Sequence, residues 1–137
     1  MSAENVELVR RGYEDFAEGM RITGDQTTSD FVWDMSKFSG WPEQQLYEGS
    51  EGAEHFLREW LAAWEDWRLE VESLQDAGDT VVAIVRQHGR SRTTGMPVDM
   101  HFAQVWSLRD GAMARMEMYA DTEEALRAVG LDPAALD

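Results

Sequence analysis

Three histidines are the side chains best suited to proton transfer or metal binding at neutral pH: His55, His88 and His101. Their separations do not match the paired spacings of zinc sites, and the sequence has no cysteine to supply thiolate ligands or disulfides. His55 precedes Glu59 by four residues on a predicted solvated helix face. His88 and His101 lie on adjacent predicted strands, where a catalytic pair with a carboxylate competes with a polar patch at a dimer interface. The patch is favoured, and no metal or other cofactor is expected.

The charge and length of the chain limit the classes of protein to consider. Its 137 residues include 27 acidic and 12 basic side chains, which gives a formal net charge of −15. Because this charge repels phosphate backbones, we expect no nucleic-acid partner. No apolar run approaches the ~20 residues of a membrane span, and the first residues do not resemble a signal peptide. We therefore expect a cytoplasmic protein, with no membrane partner and a single domain over 1–137.

Apolar residues spaced by three and four predict two long helices. The first covers 3–20, and the second covers 50–64 with Ser50 as its N-cap. A polar, turn-rich segment follows the first helix over 22–30. A short third helix is predicted over 122–129, since Asp121 and Glu124 have capping-box spacing and Gly130 suits a helix end.

Strand-like runs occupy most of the remaining sequence. A short strand is predicted over 31–34 and a long loop over 36–49. The later strands are predicted at 67–76, 80–92, 97–109 and 112–120, and Asp110-Gly111 is a strong hairpin turn. Successive hairpins predict an antiparallel sheet with the helices on one face. The predicted fold class is α+β, in which a cone-shaped, curved antiparallel sheet wraps around helices and encloses an apolar pocket.

Four segments of the sequence resemble SnoaL-like proteins. The run YEGSEGAEHF at 47–56 resembles the entry to the second long helix of that family, and the other segments are 76–82, 102–111 and 119–131. The resemblance covers nearly the whole chain. It implies the cystatin-like fold of the nuclear transport factor 2-like superfamily, which includes polyketide-cyclase and ketosteroid-isomerase branches. That fold hosts isomerases, cyclases, epoxide hydrolases and non-catalytic binders, so it implies no single activity.

The ketosteroid-isomerase branch implies three catalytic residues. Tyr13 falls where that branch has its oxyanion-stabilising tyrosine, Asp34 where it has the aspartate base, and Gln104 where it has a protonated aspartate. A carboxylate in an apolar pocket can accept a proton from carbon, while a phenol and an amide can donate hydrogen bonds to the enolate oxygen. Each residue also has a structural interpretation. Tyr13 then belongs to the core, Asp34 caps the loop at Ser36 and Ser39, and Gln104 satisfies a backbone group.

Strand alternation predicts which residues form the pocket. If Gln104 points inward, the same alignment turns Met116, Met118 and Ala120 inward on the last strand. The predicted substrate pocket comprises Phe16, Trp60, Trp64, Met100, Phe102, Trp106, Met116 and Met118. Tryptophan and methionine side chains adapt to varied apolar ligands, so a small apolar molecule is the expected partner.

The predicted outer face of the sheet carries many apolar residues for a solvated surface. The outward set is Val82, Ile84, Arg86, His88, Ala103, Val105, Arg115, Glu117 and Tyr119. Exposed apolar patches usually mark interfaces, and a twofold axis could bring Arg115 to Glu117 of a second copy. The sequence therefore predicts a homodimer through the outer sheet face.

Two functions follow from these residues. The first is an isomerase or cyclase that acts on an apolar, ring-bearing substrate by proton abstraction. The second is a non-catalytic dimeric module that binds a ligand or a partner protein. An epoxide-hydrolase site would use Arg86 and Glu117, but His88 stands where that site needs an aspartate.

Overall fold

A computed structural model describes residues 2–19, 26–38 and 45–132, so the predictions for Met20, for 22–25 and for the loop residues 39–44 lie outside the described residues. The elements follow one another as α1 (Ser2–Gly19), β1 (Thr27–Asp34), β2 (Leu46–Glu48), α2 (Gly49–Leu61), β3 (Trp64–Asp76), β4 (Thr80–Ser91), β5 (Pro97–Arg109), β6 (Ala112–Tyr119) and α3 (Thr122–Ala128). The α+β fold class is confirmed. No described helix is long and apolar enough to cross a membrane.

The two long helices form where the apolar stripes predict them. α2 buries Ala53, Phe56, Leu57 and Trp60 along one face, and Val9 is the most buried residue of α1. The prediction of Ser50 as N-cap is wrong. The cap is Glu48, without a side-chain hydrogen bond, and the helix begins at Gly49. Gly49 has a φ of 71°, a backbone conformation that glycine adopts at no steric cost. α2 also ends before 64, because Trp64 begins β3.

The strands form one curved sheet in the order β2-β1-β6-β5-β4-β3. The hairpin at Asp110-Gly111 joins β5 to β6, and positive φ angles of 53° and 78° at these two residues match the turn that the sequence predicts. The sheet is mixed, however, since β1 pairs with β6 in parallel and Trp33 lies opposite Met116. β2, which pairs with β1, is a three-residue strand inside the predicted loop. Both features arise from pairings between segments distant in sequence, which turn residues do not encode.

The two faces of the sheet have separate apolar cores. The larger core lies between the concave face and the helices α1 and α2, and it includes Phe31, Val85, Phe102 and Met116. A smaller core lies on the opposite face, where α3 packs Ala125 and Leu126 against the sheet residues Val82, Ala103, Val105 and Tyr119. The prediction that all three helices cover one face is therefore wrong for α3. The apolar residues on the outer face require a cover, and the last helix supplies it.

Predicted capping residues hold α3 in place. The Asp121 carboxylate accepts hydrogen bonds from the backbone N–H groups of Glu123 at 2.9 Å and Glu124 at 3.3 Å. Gly130 ends the helix with a φ of 83°, and the Leu131 N–H donates to the carbonyl of Leu126. These contacts confirm the predicted boundaries of the helix to within one residue.

The position of α3 changes the basis of the predicted homodimer. Val82 and Ala103 are fully buried and Val105 is 2% exposed, all within one chain. The apolar residues that predicted an intermolecular interface are thus covered by the protein's own helix. The homodimer stays a prediction, but it now rests on the polar part of the outer face alone.

Candidate functional site

A cavity opens between α1, α2 and the concave face of the sheet. It contains about 590 Å³ of space between its atoms, including its open mouth, and the centres of water molecules can occupy about 50 Å³ of it. Its described lining comprises Val9, Gly12, Tyr13, Phe16, Gln26, Trp33, Phe56, Leu57, Trp60, Trp67, Leu69, Gln87, Phe102, Gln104, Trp106, Met113 and Met118. Aromatic rings and apolar side chains form most of this surface, so the cavity favours an apolar occupant.

A directed chain of hydrogen bonds crosses one side of the cavity. The Trp106 indole N–H donates to the Tyr13 hydroxyl oxygen at 2.9 Å, and the Tyr13 hydroxyl donates to the side-chain oxygen Oε1 of Gln104. The indole nitrogen can only donate, so the phenol proton is free to bond to Gln104. The Gln104 Nε2 group is therefore turned away from Tyr13, and it lies 3.7 Å from the Met118 sulfur.

The Tyr13 phenol remains neutral in this environment. Burial raises its pKa well above the ordinary value of about 10, although the hydrogen bond from Trp106 acts in the opposite direction. Because its proton is already bonded to Gln104, the phenol has no second hydrogen to offer a ligand. The expectation that Tyr13 and Gln104 both donate to one substrate oxygen is thus corrected. In this arrangement, the free donor is the Gln104 amide.

A second polar pair lies elsewhere on the cavity wall. The Trp60 indole N–H donates to Oε1 of Gln87 at 2.7 Å, which leaves the Gln87 Nε2 group at 3.7 Å from the Met100 sulfur. Thioether sulfur is a weak acceptor. Gln87 is fully buried and Gln104 is 6% exposed, so both amides are enclosed by apolar side chains.

Asp34 lies outside the cavity, contrary to its expected position beside Tyr13. Its carboxylate accepts a hydrogen bond from the backbone N–H of Ser36 at 2.8 Å and another from the Arg115 guanidinium. Burial alone would raise its pKa, but the hydrogen bonds from Ser36 and the Arg115 cation outweigh burial and hold the pKa below its ordinary value. Asp34 is therefore an ionised loop cap with a cationic partner, and this geometry gives it no access to a ligand in the cavity.

Strand alternation explains the position of Asp34. Adjacent residues of a strand point to opposite faces, so Trp33 and Asp34 cannot both face the cavity. Trp33 lines it and makes an edge-to-face contact with Trp106, with ring centroids 6.0 Å apart. Asp34 is paired with Glu117 on the outer face.

Most of the predicted pocket residues do line the cavity, and some do not. The residues that line it are Tyr13, Phe16, Trp60, Phe102, Gln104, Trp106 and Met118. Met116 is a fully buried core residue, while Trp64 and Met100 pack against the core without lining the cavity. Met100 contacts the site indirectly, through the weak hydrogen bond from Gln87.

Sequence reasoning missed ten of the lining residues, among them Trp33, Trp67, Gln87 and Met113. The alternation of buried side chains along β4 could have identified one of them, Gln87. Val81, Ala83 and Val85 are buried in the main core, and Gln87 continues the same face two residues later. A polar residue in phase with buried apolar residues indicates a polar contact inside the protein. Trp67 and Met113 lie at irregularities of strand register, which sequence spacing does not show.

The histidines do not contribute to the cavity. His88 contacts Glu70, and His101 contacts Glu72 at 2.5 Å, across the strands of the outer face. Arg86 joins the same group through Glu72 at 3.6 Å, and it also binds Asp99 at 2.9 Å. His55 lies 3.7 Å from Glu59 on the exposed side of α2, as the sequence predicts. These side chains are solvent-accessible and form a polar outer surface.

The cavity contrasts with that surface in having no ionised group in its described lining. Tyr13 is the sole titratable residue among the lining residues named above, and it is neutral. The arrangement can hold an apolar molecule and donate hydrogen bonds to it. Proton abstraction from carbon requires a base that this part of the structure does not supply.

The sequence profile of the SnoaL-like domain matches residues 9–116. The chain belongs to the SnoaL-like domain family. The matched segment contains the whole Trp106–Tyr13–Gln104 chain of hydrogen bonds and ends before α3. No curated protein matches the chain at the sequence level.

Solved structures share the SnoaL-like fold of this chain. An NTF2-like protein of unknown function from Burkholderia pseudomallei is 20% identical, with a TM-score of 0.72 and coverage of 93% of this chain and 98% of that one. TerC, co-crystallised with polyporic acid, is 23% identical, with a TM-score of 0.70 and coverage of 92% and 98%. A protein with a ketosteroid isomerase-like fold from Catenulispora acidiphila, in complex with trimethylamine, is 18% identical, with a TM-score of 0.61 and coverage of 83% of each chain. At these identities the likeness is one of fold.

Proposed function

We propose that this SnoaL-like domain binds a small, apolar, ring-bearing molecule in its cavity, and that it does so without a proton-abstracting carboxylate. The observation that carries the proposal is the composition of the cavity wall. Eight aromatic residues that include Tyr13 and Trp106 surround two buried amides, and the described lining holds no ionised side chain. TerC, of the same fold, was crystallised with the small molecule polyporic acid, which agrees with this role.

The isomerase or cyclase hypothesis loses its base in this geometry. It requires Asp34 to face the substrate, but the Asp34 carboxylate is bound to Ser36 and Arg115 on the other side of the sheet. The alternative of a ligand-binding module without catalysis needs only the cavity and its hydrogen-bond donors. We therefore favour binding as the function.

A route into the cavity lies between α1 and β3. A surface depression there shares Tyr13, Phe16, Trp67 and Leu69 with the cavity. Phe16 and Trp67 meet edge to face in this region, with ring centroids 5.8 Å apart. A ligand that enters here passes this aromatic pair, so side-chain rotation at Phe16 and Trp67 would admit it.

Thermal shift with 2-isopropylnaphthalene tests the proposal, because a ligand that binds only the folded state raises the melting temperature. Gly12 lines the cavity on α1, and a leucine there would occupy part of the free space. We expect the wild type to be stabilised by the compound and Gly12→Leu not to be. Glu14→Leu, on the exposed side of the same helix, is the matched control and should respond like the wild type. An equal response in Gly12→Leu would place the compound elsewhere and contradict the proposal.

A further inference from the structure

The cavity has two separate sites of hydrogen-bond donation. At the first, the Gln104 oxygen is occupied by the Tyr13 hydroxyl, and the amide nitrogen contacts only the Met118 sulfur among the described residues. At the second, the Gln87 oxygen is occupied by Trp60, and the amide nitrogen contacts only the Met100 sulfur in the same part of the chain. A primary amide has two N–H groups, so each glutamine keeps at least one without a strong acceptor.

The identity of each amide end is fixed by its partners. Trp60 and Trp106 carry indole N–H groups, which donate and never accept. The atom of Gln87 that faces Trp60 must therefore be oxygen. At Gln104 the oxygen faces Tyr13, because the phenol hydroxyl donates to Oε1 while the Trp106 N–H occupies one acceptor site of the phenol oxygen. The two NH₂ groups then lie beside the sulfurs of Met100 and Met118, and both glutamines line the cavity.

The two donor sites are separated along the sheet. Gln87 pairs with Met100 on β5, and Gln104 lies four residues further along that strand. At about 3.3 Å per residue, their backbone positions are roughly 13 Å apart along the strand direction. Phe102 lies between them on the same face and also lines the cavity. Both side chains lie on the concave face of the sheet, and a ligand that reaches both amides must therefore be elongated.

Other polar atoms of the cavity agree with this pattern. The Trp67 indole nitrogen is buried and has no hydrogen-bond partner within the described ranges, and an indole N–H is again a donor. Gln26 lies at the partly exposed edge of the cavity, and its amide donates to Asp15 at 2.6 Å. Buried donors without acceptors are costly in an empty site, so a ligand that carries acceptors would satisfy them.

We propose that the cavity selects an elongated apolar ligand with a hydrogen-bond acceptor, such as a carbonyl oxygen, at each end. One acceptor would bind the Gln104 amide N–H, the other would bind the Gln87 amide N–H, and the ring between them would pack on Phe102. This inference rests on the proposed function and adds to it the chemical class of the ligand.

Calorimetric titration with three matched naphthalenes tests the inference. The probes are 2-isopropylnaphthalene, with no acceptor, 2-acetylnaphthalene, with one, and 2,6-diacetylnaphthalene, with one at each end. An isopropyl group has nearly the shape of an acetyl group and is more apolar, so burial alone favours the isopropyl compound. We expect the opposite order, with each acetyl group tightening binding by roughly fivefold.

Variants of the glutamines locate the effect. Gln87→Met keeps the length of the side chain but removes its donors, so within this variant 2,6-diacetylnaphthalene should bind no more tightly than 2-acetylnaphthalene. Gln104→Met removes the donor of the other site, so it provides the same test if Gln87→Met does not fold. Gln75→Met, on β3 and outside the cavity, is the control.

The outcomes separate the inference from the proposed function. If all three naphthalenes bind with equal affinity, or if Gln87→Met and Gln104→Met keep the preference for the diacetyl compound, the cavity binds apolar molecules without the donor pattern and the inference is wrong. If none of them binds, the proposed function fails first, and the inference fails with it.

Discussion

Trp33 and Asp34 are adjacent in sequence but belong to opposite faces of the sheet. The Trp33 ring lines the cavity, and the Asp34 carboxylate binds Arg115 and the start of the next loop on the other face. A step of one residue along β1 thus separates Trp33, which lines the cavity, from Asp34, which has a structural role on the other face. The relationship matters because the isomerase hypothesis depends on the carboxylate and the binding hypothesis depends on the ring.

Asp34→Asn should destabilise the fold and leave ligand affinity unchanged. Asp34 is 3% exposed, and the substitution removes its negative charge, which leaves the Arg115 cation with only the more distant Glu117 carboxylate at 3.7 Å. We expect the free energy of unfolding at neutral pH to fall by about 1–3 kcal/mol, measured by urea denaturation. Asp30→Asn is the control on the same strand, because the Asp30–Arg109 pair is exposed and should contribute little.

The effect of Asp34→Asn should also depend on pH. The folded-state pKa of Asp34 is lowered, since hydrogen bonds from Ser36 and Arg115 outweigh the effect of burial. An acid with a lowered folded pKa stabilises the protein above its unfolded pKa of roughly 4, and this stabilisation is lost as the pH falls through the folded value. The difference in the free energy of unfolding between the wild type and Asp34→Asn should therefore become smaller at acidic pH. A constant difference, or weaker ligand binding by Asp34→Asn at neutral pH, would refute the structural role.

Tyr13→Phe should destabilise the protein by about 1–3 kcal/mol, because it leaves the Trp106 N–H and the Gln104 oxygen unpaired.

The raised pKa of Tyr13, caused mainly by burial, gives a second expectation. A phenol with a raised folded pKa stabilises the protein below its unfolded pKa, and the stabilisation is lost as the pH rises above roughly 10. A difference titration of phenolate absorbance, wild type minus variant, should show Tyr13 ionising only as the protein unfolds. Ionisation of Tyr13 in the folded protein near its ordinary pKa would show that the phenol is not enclosed.

Gly12→Ala and Gly52→Ala should change stability in opposite directions. Both glycines lie inside helices, so an alanine gains up to about 1 kcal/mol of helix propensity at each. A Cβ at Gly12 would meet the Met113 methyl group at 3.5 Å, an ordinary contact with a flexible side chain. A Cβ at Gly52 would lie 2.8 Å from the Tyr47 carbonyl carbon, which is backbone. We expect a higher melting temperature for the first variant and a lower one for the second. Equal shifts of the same sign would mean that α2 does not approach β2 as described.

Leu126→Ala should loosen α3 from the outer face of the sheet. Leu126 is 6% exposed and packs in the cluster with Val82 and Val105, so the free energy of unfolding should fall by about 2–3 kcal/mol. Arg127→Ala, at an exposed position of the same helix, is the control. Because undocking uncovers an apolar patch, sedimentation should show more self-association in Leu126→Ala than in the wild type. Unchanged stability would mean that α3 is not the cover of this face.

Sequence reasoning succeeded where the pattern is local. Helical stripes, the turn at Asp110-Gly111 and the cap at Asp121 depend on neighbouring residues, and all of them are present in the structure. The inward phase of β5 was also correct, since Phe102, Gln104 and Trp106 all line the cavity. A strand's alternation fixes every second side chain once one of them is placed.

Apart from the N-cap predicted at Ser50, the main errors concern relationships between distant segments. The parallel pairing of β1 with β6 brings Trp33 beside Met116, and no local pattern encodes that contact. The apolar residues Val82 and Val105 indicated correctly that the outer face is covered, but composition does not distinguish a second copy of the chain from α3. Asp34 was placed in the pocket because of its position in the family pattern. Strand alternation allows only one of Trp33 and Asp34 to face the cavity, and this constraint was not applied.

The most direct test of the proposed function is to observe where a ligand binds. Methionine ε-methyl groups can be followed by NMR, and Met113 and Met118 line the cavity whereas Met96 is 64% exposed and remote from it. On titration with 2-acetylnaphthalene, we expect the Met113 and Met118 methyl resonances to shift with saturation and the Met96 resonance to remain in place. Saturable shifts at Met96 alone, or no shift at either cavity methionine, would contradict binding in the cavity.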